Sequence, residues 1–276
     1  MRKKLMLVAM VFVLMMSVGA TAYASPSNSK ANRDYKGLVD IGKFSLYADI
    51  QGSANRSKGE PAIVFESGRD VSHAIWAGAQ SGLSSKTQTI SYDRANIGLS
   101  ENSGTTYDAV TQAKQLHKLL KKSKVKAPYI LVTHSYGSAI TTVFADMYSS
   151  EVAGVVFVDA AHVDQEAVTT DTFPVERQAI FKSMFKLEGG YPTIVQTLQQ
   201  AKDTYSDKPF KDVPLTVLSG TEHGLGPVIE ATWANLQLDL LTLSDYSKQI
   251  IVQGGDHYFM LTHPQVVVDA VIDIMK

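Results

Sequence analysis

The chain has 276 residues, 45% hydrophobic and 19% charged, with a formal net charge of −1. That is globular composition with enough apolar material for a sizeable core, and it lacks the basic block a nucleic-acid partner calls for. There is no cysteine, which excludes disulfides, a thiol nucleophile, a thiolate metal site and a cysteine-linked lipid anchor.

Arg2, Lys3 and Lys4 precede an almost wholly apolar run, 5–18, and Ala22, Tyr23 and Ala24 form a small-x-small site. This is the pattern of a secretory signal peptide, 1–24, with Ser25 as the new N-terminus. The apolar run falls short of the roughly 20 residues of a membrane span. The expectation is therefore a secreted chain with no stable membrane anchor after cleavage. Export without cysteine fits a bacterial route. Residues 25–33, rich in Ser and Asn, read as a disordered lead-in to a domain covering 34–276.

Residues 44–50 alternate apolar and polar, as a half-buried strand does. Segments 62–65 and 87–92 are further strand candidates. Val110, Ala113, Leu116 and Leu120 give 107–122 helical spacing, and the lysines around Lys121 close that helix where cations are favoured. Residues 129–133 are apolar and β-rich, 138–148 read as a helix, and 154–158 are an apolar run typical of a strand buried on both faces. Residues 215–218 and 249–252 are the remaining strand candidates, followed by a helix at 264–275. Strands alternating with helices predict an α/β fold with a mostly parallel central sheet flanked by helices. The segment 162–212 breaks the alternation. It carries helix-like pieces and the aromatics Phe173, Phe181, Phe185, Tyr191 and Tyr205. It is expected to be a helical insertion, read either as a lid or as surface helices with buried apolar faces.

Chemistry concentrates at four places. The strand 129–133 runs into Thr133-His134-Ser135-Tyr136-Gly137 and then a helix, the strand–turn–helix of a nucleophile elbow with Ser135 at its tip. A helix N-terminus behind Ser135 offers N–H groups to a developing oxyanion. Thr133 stands where the motif has glycine, and it crowds the turn. Glu66-Ser67-Gly68-Arg69-Asp70 follows an early strand, and the backbone amides of Arg69 and Tyr136 are the candidate oxyanion donors. Gly254-Gly255-Asp256-His257, between the last strand and the last helix, can bring His257 over the sheet end to take the serine proton. His134, His162, His223 and His263 lack that context. Two acids fall between serine and histidine at strand ends, Asp159 and Glu222.

With these residues in place, the chain resembles the α/β-hydrolase superfamily over nearly all of its length after the signal. Tyr92-Asp93-Arg94-Ala95-Asn96-Ile97-Gly98-Leu99-Ser100-Glu101 resembles a Y-D-R-A-G-x-G-x-S-E stretch common in a bacterial branch. Val158-Asp159-Ala160-Ala161-His162, and His257-Tyr258 followed by His263-Pro264, resemble further segments of that branch. The resemblance implies a Ser135–His257–acid triad, and it favours Asp159 ahead of Glu222. Asn96 stands where the branch has glycine, and Ser67 where many members have histidine. No metal or nucleotide motif is visible, and no cofactor is expected. The implied function is a carboxylic ester hydrolase working through an acyl-enzyme on a small molecule, with the lid aromatics pointing to an apolar group. Amidase, lactonase or peptidase chemistry uses the same triad. A non-catalytic ligand-binding or signalling protein on this fold is the alternative from another class.

Overall fold

Val155, Val156, Phe157 and Val158 are fully buried, and so is every residue of 62–66. Runs like these, apolar on both sides, exclude water only at the centre of a sheet with helices on each face. A computed structural model shows that arrangement for residues 33–104, 106–205 and 208–276. The expected signal peptide, 1–24, and residues 25–32 of the expected lead-in lie outside the described residues.

The strands are β1 (Tyr35–Asp40), β2 (Ser45–Gln51), β3 (Ala62–Glu66), β4 (Thr89–Tyr92), β5 (Tyr129–His134), β6 (Val152–Val158), β7 (Leu215–Gly220) and β8 (Ser247–Val252). They form one sheet in the order β1-β2-β4-β3-β5-β6-β7-β8. β2 runs antiparallel to β1 and β4, and every other neighbouring pair is parallel. The helices are α1 (Ala77–Ser84), α2 (Ala109–Lys122), α3 (Gly137–Met147), α4 (Gln165–Val168), α5 (Val175–Met184), α6 (Gly190–Asp203), α7 (Pro227–Asp239), α8 (Phe259–Thr262) and α9 (Pro264–Ile274).

The two-residue period of a strand sorts the core into layers. Val64 and Leu131 pack with α2, α3 and α6, through Leu116, Leu120, Ile140, Phe144, Ile194 and Leu198. Their neighbours Ile63, Phe65, Ile130 and Val132 face the other way, onto α1, α8 and α9. α2 starts where the Asp108 carboxylate accepts the Thr111 N–H at 3.1 Å, and it ends on Lys121 and Lys122.

The predicted strands and the helices at 107–122, 138–148 and 264–275 are present with ends shifted by a few residues. β1, α1, α7 and the short α8 lie outside the predicted elements. The segment 162–212 is helical, and its two halves differ. In α6, Ile194, Leu198 and Ala201 join the core with α2 and α3. In α5 no residue is buried, and Val175 and Ile180 are 76% and 64% exposed. Among the described residues, no helix is long and apolar enough to cross a membrane.

This division sets an expectation for stability. Phe144→Ala, at a fully buried position, should cost about 3–5 kcal/mol. Ile180→Ala should stay within about 0.5 kcal/mol of the unsubstituted chain. Urea denaturation followed by circular dichroism measures both.

Candidate active site

The loops that leave β3, β5, β6, β7 and β8 emerge on the same edge of the sheet, because those strands are parallel neighbours. Brought together there are Ser67–Gly68–Arg69–Asp70, Ser135, Asp159, His223 and His257. Such carboxyl-end clefts are where open α/β sheets collect their ligands.

Ser135 has φ 49°, the left-handed conformation that costs a non-glycine residue about 1–2 kcal/mol. Hydrogen bonds on both sides hold it there. Its N–H donates to the Val158 carbonyl at 3.3 Å, and its carbonyl accepts from the Ala161 N–H at 3.0 Å and the Ser138 N–H at 3.0 Å. Thr133 is fully buried with its hydroxyl unpartnered. The crowding expected from Thr133 is absorbed at Gly137, where a Cβ would lie 2.8 Å from the threonine Oγ1. Asn96 takes φ 66°, a conformation asparagine tolerates, so its loop survives the loss of glycine. Ser67 accepts the Trp76 indole N–H at 3.1 Å.

A line of hydrogen bonds starts at Ser135. Its Oγ lies 3.0 Å from His257 Nε2, and His257 Nδ1 lies 2.6 Å from Asp159 Oδ2. Asp159, wholly buried at φ 45°, also accepts the Trp233 indole N–H at 3.0 Å and the Gly220 N–H at 3.2 Å on Oδ1. Burial pushes its carboxyl up, but His223 and His257 outweigh that and hold it well below the usual carboxylate range. Glu222 is exposed and gives only its backbone N–H to the Gly255 carbonyl, at 3.0 Å. Of the two candidate acids, the structure brings Asp159 to the imidazole and not Glu222.

Two histidines set aside in the sequence meet this group. His134 is fully buried, and burial followed by the neighbouring His257 pushes its pKa down to about 3. It is neutral, and its Nε2 donates to the His257 carbonyl at 2.8 Å, fixing the loop that carries His257. Gly68 packs on the same ring, where a Cβ would lie 2.6 Å from His134 Nδ1. His223 lies 2.9 Å from Asp159 Oδ2 through Nε2. No sequence spacing pairs His223 with Asp159; only the β6–β7 register does. Asp159, His223 and His257 bring potential ligand atoms within 4.8 Å of one another. Those atoms are engaged with each other as hydrogen-bond partners, and they are not assigned as metal ligands.

The loop holding Arg69 is fastened from below. Arg94, 3% exposed, donates to Glu66 Oε1 at 2.6 Å, to the Ser67 and Gly68 carbonyls at 2.6 and 2.7 Å, and to Glu188 at 2.6 and 2.8 Å. Tyr92 donates to the other oxygen of Glu66. Glu188 in turn accepts the Asp70 N–H at 3.1 Å. A trans peptide sets N–H opposite C=O. With the Gly68 carbonyl turned to Arg94, the Arg69 N–H points away from it. Among the described residues the amides of Arg69 and Tyr136 donate to no protein group. The Arg69 side chain donates to the Leu187, Glu188 and Gly190 carbonyls at 2.9, 2.9 and 3.0 Å. Burial pushes the Glu188 carboxyl up, but Arg94 outweighs that and holds it below its ordinary value.

Residues 61–203 match the model of a family described as alpha/beta hydrolase fold. A Bacillus subtilis protein named uncharacterized protein YqjL is 32% identical over 212 residues, which cover 77% of this chain and 82% of that one. A bromoperoxidase from Bacillus anthracis superposes with a TM-score of 0.63 at 18% identity, covering 87% of this chain and 99% of its own. A thermophilic esterase from Thermogutta terrifontis gives 0.62 at 15%, covering 87% and 97%. At those identities the solved structures share the fold.

Arg94→Met should leave Glu66 and Glu188 buried without their cation and cost about 3–5 kcal/mol in urea denaturation. Glu188, with its lowered pKa, contributes stability that is present above the ordinary carboxylate value and lost as pH falls through the lowered one. Glu188→Gln should therefore be less stable than the unsubstituted chain at neutral pH, and the gap should narrow in acid.

Proposed function

We propose that this chain, which belongs to the alpha/beta hydrolase fold family, is a serine hydrolase that cleaves carboxylic esters through an acyl-enzyme on Ser135. The observation that carries this reading is the line from Ser135 Oγ through His257 to the buried carboxylate of Asp159. In it, His257 Nδ1–H donates to Asp159, and Nε2 is left to accept from serine.

Ser135 Oγ attacks the ester carbonyl carbon, and its proton passes to His257 Nε2. Asp159 keeps the imidazole in the required tautomer and stabilises the imidazolium. The carbonyl oxygen becomes an oxyanion facing the amides of Arg69 and Tyr136, each such donor being worth about 2.7–4 kcal/mol in comparable sites. The C–O bond to the alcohol breaks, and the alkoxide leaves with the proton from His257. Water then gives a proton to His257 and attacks the acyl carbon, and the second collapse returns the proton to Ser135 and frees the acid.

The substrate we infer is a small ester with an apolar group. Its support is the edge-to-face series Phe173–Phe181–Phe185 and the neighbouring Tyr191, in the insertion that Arg69 and Arg94 fasten to the oxyanion loop. Export is part of the proposal, on the strength of the 1–24 pattern, and so is a place in the bacterial branch marked by the Tyr92–Glu101 stretch.

A fluorophosphonate probe should label the purified mature chain, and Ser135→Ala and His257→Ala should abolish labelling. An unlabelled native chain would sink the enzyme reading. On an activated ester, Asp159→Asn should lower kcat by roughly 10³–10⁴-fold. Glu222→Gln should stay within roughly twofold, and the reverse pattern would transfer the acid role to Glu222. A matched series of p-nitrophenyl esters and p-nitroanilides of rising chain length then separates ester from amide preference and measures the apolar pocket.

A further inference from the structure

His257 is not the only imidazole on Asp159. His223, whose side chain is 6% exposed, places Nε2 2.9 Å from Asp159 Oδ2 and Nδ1 2.7 Å from Glu230 Oε2. The Glu230 carboxylate also accepts the His223 and Leu225 backbone N–H groups on Oε1, at 2.9 and 3.2 Å. Both ring nitrogens thus face carboxylate oxygens, and carboxylates accept only. A neutral imidazole has one N–H and one lone pair, so it would set a lone pair against a carboxylate. The doubly protonated ring satisfies both sides. In agreement, burial pushes His223 down, but Asp159 and Glu230 outweigh it and raise its pKa to about 9.

We propose that His223 is a positioning residue, a cationic bridge between Asp159 and Glu230 that offsets the charge of Asp159 and thereby lowers the proton affinity of His257. The proposal rests on the Ser135–His257–Asp159 reading above. His223 and His257 share a single oxygen, Asp159 Oδ2. A carboxylate favours the charged form of an imidazole bonded to it. A cation on the same oxygen weakens that pull. It also spends the oxygen's second acceptor position, which keeps the carboxylate from turning away.

The surroundings contain the other groups such an argument must count. Facing His223 are Asp159, Glu230, the Trp233 ring with its centroid 5.8 Å away and the His257 ring at 6.3 Å. Facing His257 are Ser135, Asp159, neutral His134 at 4.6 Å, Trp233 at 6.0 Å and Tyr258 at 5.3 Å. Beyond Tyr258 lie the carboxylates of Asp70 and Asp256. Among these described neighbours, the cation in contact with Asp159 is His223.

The test measures the rate of fluorophosphonate labelling of Ser135 from pH 5 to 9 in the native chain, His223→Gln and Glu230→Gln. In the native chain labelling rises as His257 loses its proton. Without the His223 charge, that acid limb should move up by about one pH unit, a roughly tenfold loss at its foot with the plateau reached later. Glu230→Gln, which weakens the cation without removing the ring, should move it the same way by less. Superimposable limbs in all three proteins would overturn the proposal, whatever happens to the plateau, since a merely structural role lowers the plateau alone. A native chain that is not labelled fails the Ser135 reading instead. Imidazole 15N shifts of the native protein give a readout independent of any variant's folding. At pH 7.5 both nitrogens of His223 should be protonated, and a singly protonated ring would also overturn it.

Discussion

Arg94 carries a full positive charge where it is 3% exposed, surrounded by two carboxylates and two carbonyl oxygens. An ion so far from water is tolerable only when every donor finds an acceptor. Meeting that condition ties together four parts of the chain: the end of β3 at Glu66, the Ser67–Gly68 turn, the end of β4 that carries Arg94 itself, and Glu188 from the insertion. The loop beside Ser135 is therefore held by a charge that is itself buried among protein acceptors. The Tyr92-Asp93-Arg94 stretch acquires a physical meaning here. Tyr92 and Arg94 satisfy Glu66, while Asp93 accepts the His73 and Leu99 N–H groups at 2.7 and 2.8 Å and pins the flanking loops.

Above that frame, imidazoles and carboxylates alternate. From Ser135 outward come an imidazole, the carboxylate of Asp159, the imidazole of His223 and the carboxylate of Glu230. Beside it stands His134, an imidazole kept neutral by burial, whose part is to hold the His257 backbone. His134 and His223, with the same intrinsic chemistry, are thus pushed in opposite directions by their surroundings.

The alternation of strand and helix could be read from the residues because β3, β5 and β6 are mostly apolar and α2 carries an apolar stripe. The elements that escaped that reading lack both signals. β1 alternates exposed with half-buried positions at the sheet edge and contains Gly37. α1 meets α9 at Gly78 and Gly82, which face Pro264 and Val268 and leave α1 few apolar side chains to mark a stripe. Ser135, His257 and the two acids were visible as strand-end residues, since loop chemistry and chain order point to them. His223 and Glu188 were not. Their partners lie 64 and 94 residues away, and nothing local marks a charge that will be buried against a distant one. Thr133 crowds the turn when taken alone, and Gly137 across the turn makes room for it, a relation between two positions rather than a property of either.

The insertion between β6 and β7 is bound unevenly to the body, and that has a consequence for motion. α6 shares the core of α2 and α3, so its amide protons can exchange with solvent only when that core opens, at close to the free energy of global unfolding. α5 has no buried residue, and opening it disrupts little beyond the Phe173–Phe181–Phe185 contacts. Between them sits Glu188, locked to Arg94. The insertion is thus divided at a salt bridge into a well-packed part and a loosely packed one, and far less buried contact has to be broken to free α5 than to free α6.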